Sequence, residues 1–157
     1  DVGGAPRARF VAKVLHAPIA IIDKRRSEGS GKVIVENIIG EIKGKTCIMV
    51  DDMIDTAGTI TEAASLLKRK GAKEVYVYAT HAVLSGSAID KLKKSQIKEI
   101  VLTNTIEIPK SKRIKKIKII SVAPLLSEII KRSHDGTPMG VFYENMYKRL
   151  GKIMKKC

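Results

Sequence analysis

The sequence is poor in aromatic side chains and in cysteine. It has no tryptophan, and its two phenylalanines and four tyrosines make up only 4% of 157 residues. Few rings are therefore available to stack on nucleic-acid bases. The two cysteines, Cys47 and Cys157, are too few for a disulfide framework or a cysteine-rich zinc site. No apolar run approaches the roughly 18 residues that cross a membrane.

Positive charge is abundant, with a formal net charge of +14. Its densest run has no acidic residue inside it and contains Lys110, Lys112, Arg113, Lys115, Lys116 and Lys118. Such a run could bind a phosphate backbone, but a solvated basic surface is the simpler interpretation. We therefore expect no nucleic-acid partner. Cys47 lies in an apolar run and is predicted to be a buried thiol, and free thiols favour a cytoplasmic location.

Short apolar segments rich in Val and Ile alternate with helical patterns along the chain. Strands are predicted at residues 19–22, 46–50, 75–80, 100–103 and 117–122, and helices at 10–15, 60–67, 87–92 and 124–130. Continuous apolar runs indicate strands that are covered on both faces. The predicted fold class is α/β, with a doubly wound, mainly parallel sheet flanked by helices. The Gly- and Ser-rich residues 27–31 predict a mobile loop.

The most informative segment is VDDMIDTAGTI, residues 50–60, in which a buried strand leads to carboxylates and then to a helix. Thr59 and Glu62 have the spacing of a capping box, which predicts a helix start near Ile60. Unpaired N–H groups at a helix start bind anions, and the small residues Ala57 and Gly58 would let a phosphate approach closely.

Three carboxylates in this segment conflict with a site for an anion alone. The conflict disappears if the ligand carries both a phosphate and hydroxyl groups. The loop would bind the phosphate, with hydroxyl donors from Thr56 and Thr59. Asp51 and Asp52 would accept hydrogen bonds from the hydroxyls or help to hold a hydrated Mg²⁺. The segment therefore predicts a sugar-phosphate site.

This segment resembles the phosphate loop of the phosphoribosyltransferase fold, and in its form VDDMIDTAGT the ribose-phosphate pyrophosphokinase family in particular. Three other segments are similar to that family: DVGG followed by RAR at residues 7–9, AIIDKRR at 20–26 and ATHAVLSG at 79–86. The resemblance covers residues 1–143, which we interpret as one domain, the C-terminal half of a two-domain enzyme. Residues 144–157 are predicted to form a basic amphipathic helix that extends it.

The resemblance implies transfer of the diphosphoryl group of ATP to the C1 hydroxyl of ribose 5-phosphate, with Mg²⁺ as cofactor. It implies that Asp1 binds the metal and that Lys24 and Arg26 lie over the transferring group, Arg26 also contacting ribose 5-phosphate. Asp51 and Asp52 would face the ribose hydroxyls. The 5-phosphate pocket would consist of Asp55, Thr56, Ala57, Gly58 and Thr59.

The family resemblance also implies a homo-oligomer, a hexamer. Because the family's N-terminal half supplies the adenine-binding residues, we expect this part to be inactive alone. Two alternatives remain open. The first is a phosphoribosyltransferase that acts on a nucleobase, and the second is a non-catalytic, regulatory sugar-phosphate-binding protein.

Overall fold

The computed structural model describes residues 4–26 and 33–154, and the side chains of residues 4–23 and 37–149. In chain order the elements are α1 (Ala5–Leu15), β1 (Ile21–Arg26), β2 (Val33–Ile39), β3 (Thr46–Ile54), α2 (Gly58–Arg69), β4 (Glu74–Ala82), α3 (Ala88–Lys94), β5 (Glu99–Thr103), a 3₁₀ turn (Lys110–Lys112), β6 (Ile117–Ile120), α4 (Ala123–His134) and α5 (Met139–Met154). Asp1, the predicted loop at 27–31 and Cys157 lie outside the described residues.

The main sheet has four parallel strands, β3 to β6, which lie side by side in chain order. Its central strands supply the best-buried side chains, since Val75 and Val77 of β4 and Ile100 and Leu102 of β5 are all 0% exposed. Full burial of one such side chain stabilises the fold by about 1.5–3 kcal/mol. The α/β class with a parallel sheet and flanking helices is confirmed.

Two strands near the N-terminus differ from the prediction. β1 begins at Ile21 and continues through charged residues to Arg26, instead of covering 19–22, and β2 was not predicted. The two pair with each other in antiparallel fashion, apart from the main sheet. An antiparallel pair can have one face in water, so its strands need no continuous apolar run.

The segment that carries the candidate site also differs locally from the prediction. β3 runs to Ile54 and not only to residue 50, because β4 continues to pair with it as far as Ile54 and Ala82. Asp51 and Asp52 therefore lie within the strand. Helix α2 begins at Gly58 rather than near Ile60, so the predicted capping box at Thr59 is wrong.

Cys47 is half-buried, whereas the sequence predicted a buried thiol. It lies on β3, which pairs with β4 on one side and has no second neighbour among the described strands of the sheet. Partial burial still raises the pKa of the Cys47 thiol. The thiol is thus less reactive than an exposed one at neutral pH, because the thiolate is the nucleophile.

Several cations of the basic run at residues 110–118 form hydrogen bonds within the fold. Lys116 Nζ donates hydrogen bonds to the carbonyl oxygens of Leu92, Lys93 and Ser95, at 3.3, 3.0 and 2.6 Å. These carbonyls are at the C-terminal end of α3, where a cation also interacts favourably with the helix dipole. Lys112 Nζ and Arg113 Nε donate to other carbonyl oxygens, at 2.8 and 2.9 Å. Part of the run therefore bonds to the backbone of the protein, whereas the sequence predicted a solvated basic surface.

Replacing Lys116 with methionine is expected to lower the free energy of unfolding by about 1–2 kcal/mol, because hydrogen bonds to α3 from a charged donor are lost. Lys115→Met is the matched control, since Lys115 is exposed and adjacent. Chemical denaturation of both variants measures the difference. Equal stabilities of the two variants would contradict the structural role of Lys116.

Helix α5 runs without a break across residues 143 and 144, the predicted boundary of the C-terminal extension. It contacts α1 through the rings of Tyr147 and Phe10, whose centroids are 6.3 Å apart. None of the helices in the described part of the chain is both long enough and apolar enough to cross a membrane.

Candidate functional site

Two adjacent carboxylates near the C-terminal end of β3 share one guanidinium partner. Arg7, in the first half of α1, places Nη1 2.9 Å from Asp51 Oδ1 and Nη2 3.2 Å from Asp52 Oδ2. The side chains are partly exposed, with 38% for Arg7, 47% for Asp51 and 54% for Asp52. The two acids predicted to face a ribose are therefore brought together, and a cation holds both of them.

The carboxylates also bond to the backbone of their own strand. Asp51 Oδ1 accepts the N–H of Asp52 and Asp52 Oδ1 accepts the N–H of Met53, each at 2.9 Å. Side-chain hydrogen bonding with Asp51, the Met53 N–H and the charge of Arg7 hold the pKa of Asp52 below its usual range. Asp52 thus remains an acceptor at neutral and mildly acidic pH.

The N-cap of helix α2 is Ala57, which has the left-handed conformation with φ 59°. Among the described side chains, none bonds to the first N–H groups of the helix. The first N–H groups of a helix have no partner within the helix and carry the positive end of its dipole. Ala57 is 5% exposed and belongs to the hydrophobic core, whereas Gly58 is half-buried and Thr59 is exposed. The geometry is that of a small anion site.

The loop before α2 is tied to the loop after β4. Leu84 N–H donates to the Ile54 carbonyl at 2.9 Å, and Ser85 N–H donates to the Asp55 carbonyl at 3.2 Å. The Ser85 hydroxyl also bonds to the Asp55 carboxylate. Leu84 has φ 50° and is 1% exposed, so packing holds an uncommon backbone conformation. The Asp55 side chain therefore connects two loops.

A further cation lies at the start of α2. Lys91 Nζ is 3.9 Å from the position that a Cβ atom on Gly58 would occupy, and Thr56 Oγ1 is 3.8 Å from it. Within the described residues the Lys91 ammonium has no hydrogen bond or ion pair. Thr56 and Thr59 are exposed beside it. An anion at the first turn of α2 would find backbone N–H groups, hydroxyls and one ammonium within a small volume.

A cavity of about 490 Å³ adjoins this site, between α1, β1, β3 and α2. Arg7, Asp51, Asp52 and Thr59 are polar residues of its lining, while Asp55, Thr56, Ala57 and Gly58 do not line it. Thr59 is therefore the residue of the predicted phosphate pocket that lines the same cavity as the acid pair.

For the other predicted site residues, Lys24, Arg26 and Asp1, the structure describes the backbone at most. The backbones of Lys24 and Arg26 belong to β1, next to residues 27–32, but their side chains lie outside the described set. The predicted metal ligand Asp1 also lies outside it. Their relation to the acid pair remains a prediction.

Mg²⁺ fits the donor chemistry of the acid pair. The described residues contain no group of three or more metal-ligating side chains, and so no all-protein cage. Mg²⁺ commonly keeps several waters and uses one or two carboxylates together with substrate phosphates. Asp51 and Asp52 offer such oxygens, although Arg7 already engages one oxygen of each.

Arg7, Ser85 and Lys91 were not among the predicted site residues. Arg7 is 44 residues from Asp51 in sequence, and Ser85 is 30 residues from Asp55. Arg7 and Ser85 belong to segments that carry the family resemblance, RAR and ATHAVLSG, which was the available signal. Apart from its positive charge, nothing in the sequence indicated that Lys91 would lie at the start of α2.

Comparison with known proteins gives consistent matches. Residues 27–144 match the family model described as the phosphoribosyl synthetase-associated domain. The chain is 55% identical over 136 residues to the ribose-phosphate pyrophosphokinase of Caldanaerobacter subterraneus, covering 87% of this chain and 43% of that protein. It is 54% identical over 135 residues to the Bacillus subtilis protein of that name, covering 86% and 42%.

A solved structure is also similar, that of phosphoribosylpyrophosphate synthetase from Mycobacterium smegmatis. The TM-score is 0.73 at 40% sequence identity, and the match covers 83% of this chain and 42% of that one. The chain therefore spans less than half the length of the relatives that it matches.

Proposed function

The chain belongs to the phosphoribosyl synthetase-associated domain family, and we propose from this that it is the C-terminal catalytic half of a ribose-phosphate pyrophosphokinase. The observation that carries the proposal is the start of α2 at a left-handed Ala57, whose neighbour Thr59 lines the same cavity as the carboxylates of β3. Ligands of parallel α/β sheets bind beyond the carboxyl ends of the strands, where this site lies.

The proposed substrate is ribose 5-phosphate, bound in two parts. Its phosphate lies against the first N–H groups of α2, beside the hydroxyls of Thr56 and Thr59 and the Lys91 ammonium. Its hydroxyls donate to Asp51 and Asp52. Asp55 contributes through its backbone, because its carboxylate bonds to Ser85. The two parts of the site match the two chemical ends of the sugar phosphate.

The proposed reaction transfers the β,γ-diphosphoryl group of ATP. The C1 oxygen of ribose 5-phosphate bonds to the β-phosphorus, the bond from that phosphorus to the α-phosphate oxygen breaks, and AMP leaves. The C1 hydroxyl loses its proton. Lys24 and Arg26 stabilise the negative charge that spreads over the phosphoryl oxygens. When bound, Mg²⁺ neutralises part of the phosphate charge, with Asp1 as its proposed ligand.

Family membership also supports the other parts of the proposal. ATP and ribose 5-phosphate are the proposed partners, and a homo-oligomer, a hexamer, is the proposed assembly. The proposed location is the cytoplasm. In the family, adenine is bound by the N-terminal half, whereas this chain resembles the C-terminal half. Activity is therefore to be tested on the intact protein, with both halves present.

The test is to incubate the intact protein with ATP, ribose 5-phosphate and Mg²⁺. We expect AMP and phosphoribosyl diphosphate in equal amounts, measured by chromatography. If no AMP forms and the protein instead joins a nucleobase to phosphoribosyl diphosphate, it is a phosphoribosyltransferase and the proposal is wrong. If both reactions fail while calorimetry shows ribose 5-phosphate bound, the protein is a non-catalytic sugar-phosphate binder.

A further inference from the structure

Arg7 makes an unusual pair of contacts for a residue without an assigned role. One guanidinium nitrogen is 2.9 Å from Asp51 and the other is 3.2 Å from Asp52. These carboxylates belong to adjacent residues of one strand, and like charges so close repel each other. A guanidinium presents several N–H donors in a rigid plane, so it can satisfy two carboxylates at once.

The contact leaves acceptor capacity on both acids. Asp51 Oδ1 receives bonds from Arg7 and from the Asp52 N–H, while in the described part of the chain Asp51 Oδ2 has no hydrogen-bond donor. Asp52 uses Oδ1 for the Met53 N–H and Oδ2 for Arg7. Each carboxylate oxygen has about two lone-pair sites, so hydroxyl groups can still donate to both side chains.

We propose that Arg7 is a positioning residue for ribose recognition: it fixes the two carboxylates so that their remaining lone pairs accept the sugar hydroxyls. This inference rests on the proposed function of the site. Without Arg7 the two charged side chains separate into other rotamers, and each must be reordered when the sugar binds. Arg7 thereby makes the site select a sugar phosphate with hydroxyls over one that lacks them.

The position of Arg7 separates this role from binding of the phosphate. Arg7 contacts the acids of β3, whereas Lys91 is the cation beside the first turn of α2. Removing Arg7 should therefore affect recognition of hydroxyls more than recognition of phosphate. A residue that only stabilised the fold would affect both equally.

The experiment measures binding to the intact protein by calorimetry, with ribose 5-phosphate, 2-deoxyribose 5-phosphate and inorganic phosphate as probes. The unchanged protein is expected to prefer ribose 5-phosphate over the deoxy sugar by roughly tenfold or more, the effect of one hydrogen bond to a charged acceptor. In Arg7→Met that preference falls to nearly one, while binding of inorganic phosphate stays within about twofold. Arg9→Met is the matched control, an exposed arginine of the same helix.

A second pair of variants tests whether Arg7 acts through the acids. If it does, Arg7→Met changes the preference little once Asp51→Asn is present, since effects on one network are not additive. Arg7→Lys keeps the positive charge but loses the planar set of N–H donors. Its preference for ribose 5-phosphate over the deoxy sugar should therefore lie between those of the unchanged protein and of Arg7→Met. An unchanged preference in Arg7→Met, or a large loss of inorganic phosphate binding, would overturn the inference. Failure of the unchanged protein to bind ribose 5-phosphate would instead refute the proposed function.

Discussion

Gly58→Val is expected to remove measurable binding of ribose 5-phosphate, a loss of at least roughly 100-fold in affinity, or about 2.8 kcal/mol. Gly58 is half-buried and is the first residue of α2, whose first N–H groups have no side-chain cap among the described residues. A branched side chain there would stand in the volume that the phosphate needs in order to reach the backbone. Calorimetry of the variant with ribose 5-phosphate measures the loss.

The same substitution is expected to leave the fold intact. Among the described residues, a Cβ on Gly58 would meet only Thr56 Oγ1 at 3.8 Å and Lys91 Nζ at 3.9 Å, which are ordinary contact distances. Gly140→Val is the matched control, because a Cβ on Gly140 in α5 would meet no atom of the described part of the chain within 4 Å. The control should bind ribose 5-phosphate normally. Retained affinity in a folded Gly58→Val protein would show that the phosphate does not bind at α2.

Lys24→Ala is expected to lower the turnover number of the intact enzyme by roughly 10²-fold or more, the usual effect of losing one donor that stabilises a transition state. The binding of ribose 5-phosphate should change much less, because the proposed role of Lys24 concerns charge that develops during transfer. Steady-state kinetics with ATP as the varied substrate, together with calorimetry, separates the two effects.

Arg25→Ala is the control for Lys24, since it removes one positive charge from the next residue of β1. Similar losses of turnover in both variants would mean that activity depends on the total charge of this strand. If Lys24→Ala weakened substrate binding and left turnover unchanged, Lys24 would be a residue that positions substrate. Either outcome would remove Lys24 from the proposed transfer step.

The two central strands of the parallel sheet, β4 and β5, could be predicted because burial of their side chains imposes an apolar run on each of them. Val75, Val77, Ile100 and Leu102 are fully buried, and these residues gave the signal. β2 gave a weaker signal, because it pairs outside the main sheet and has polar residues between its apolar ones. β2 forms a strand because it pairs with β1, and the composition of the segment alone does not predict that pairing.

The start of α2 shows why a local motif can mislead. Thr59 and Glu62 have the capping-box spacing, but the chain turns earlier because the Ala57 methyl packs into the core. That packing depends on residues distant in sequence, and it favours a left-handed conformation that alanine rarely adopts. The position of the loop between β3 and α2, where we propose that phosphate binds, was predictable from its small residues and its place after a strand.

The contacts of Arg7, Ser85 and Lys91 were not predictable from spacing. Each side chain reaches the site from another element, and the tertiary fold alone sets its distance to the acids or to Gly58. Patterns of period 2 or 3.6 describe one element at a time. The family resemblance named the segments of Arg7 and Ser85 but gave neither a role.

The bonds that join residues 84 and 85 to Ile54 and Asp55 also bear on how quickly a ligand can be captured. They fix the turn before α2, so the phosphate of the proposed ligand need not wait for that turn to rearrange. We then expect the association rate constant at the start of α2 to be set by diffusional encounter with the ligand and not by a conformational change of the protein. Because the turn is ordered when the protein folds, the entropic cost of ordering it does not reduce the affinity for the ligand.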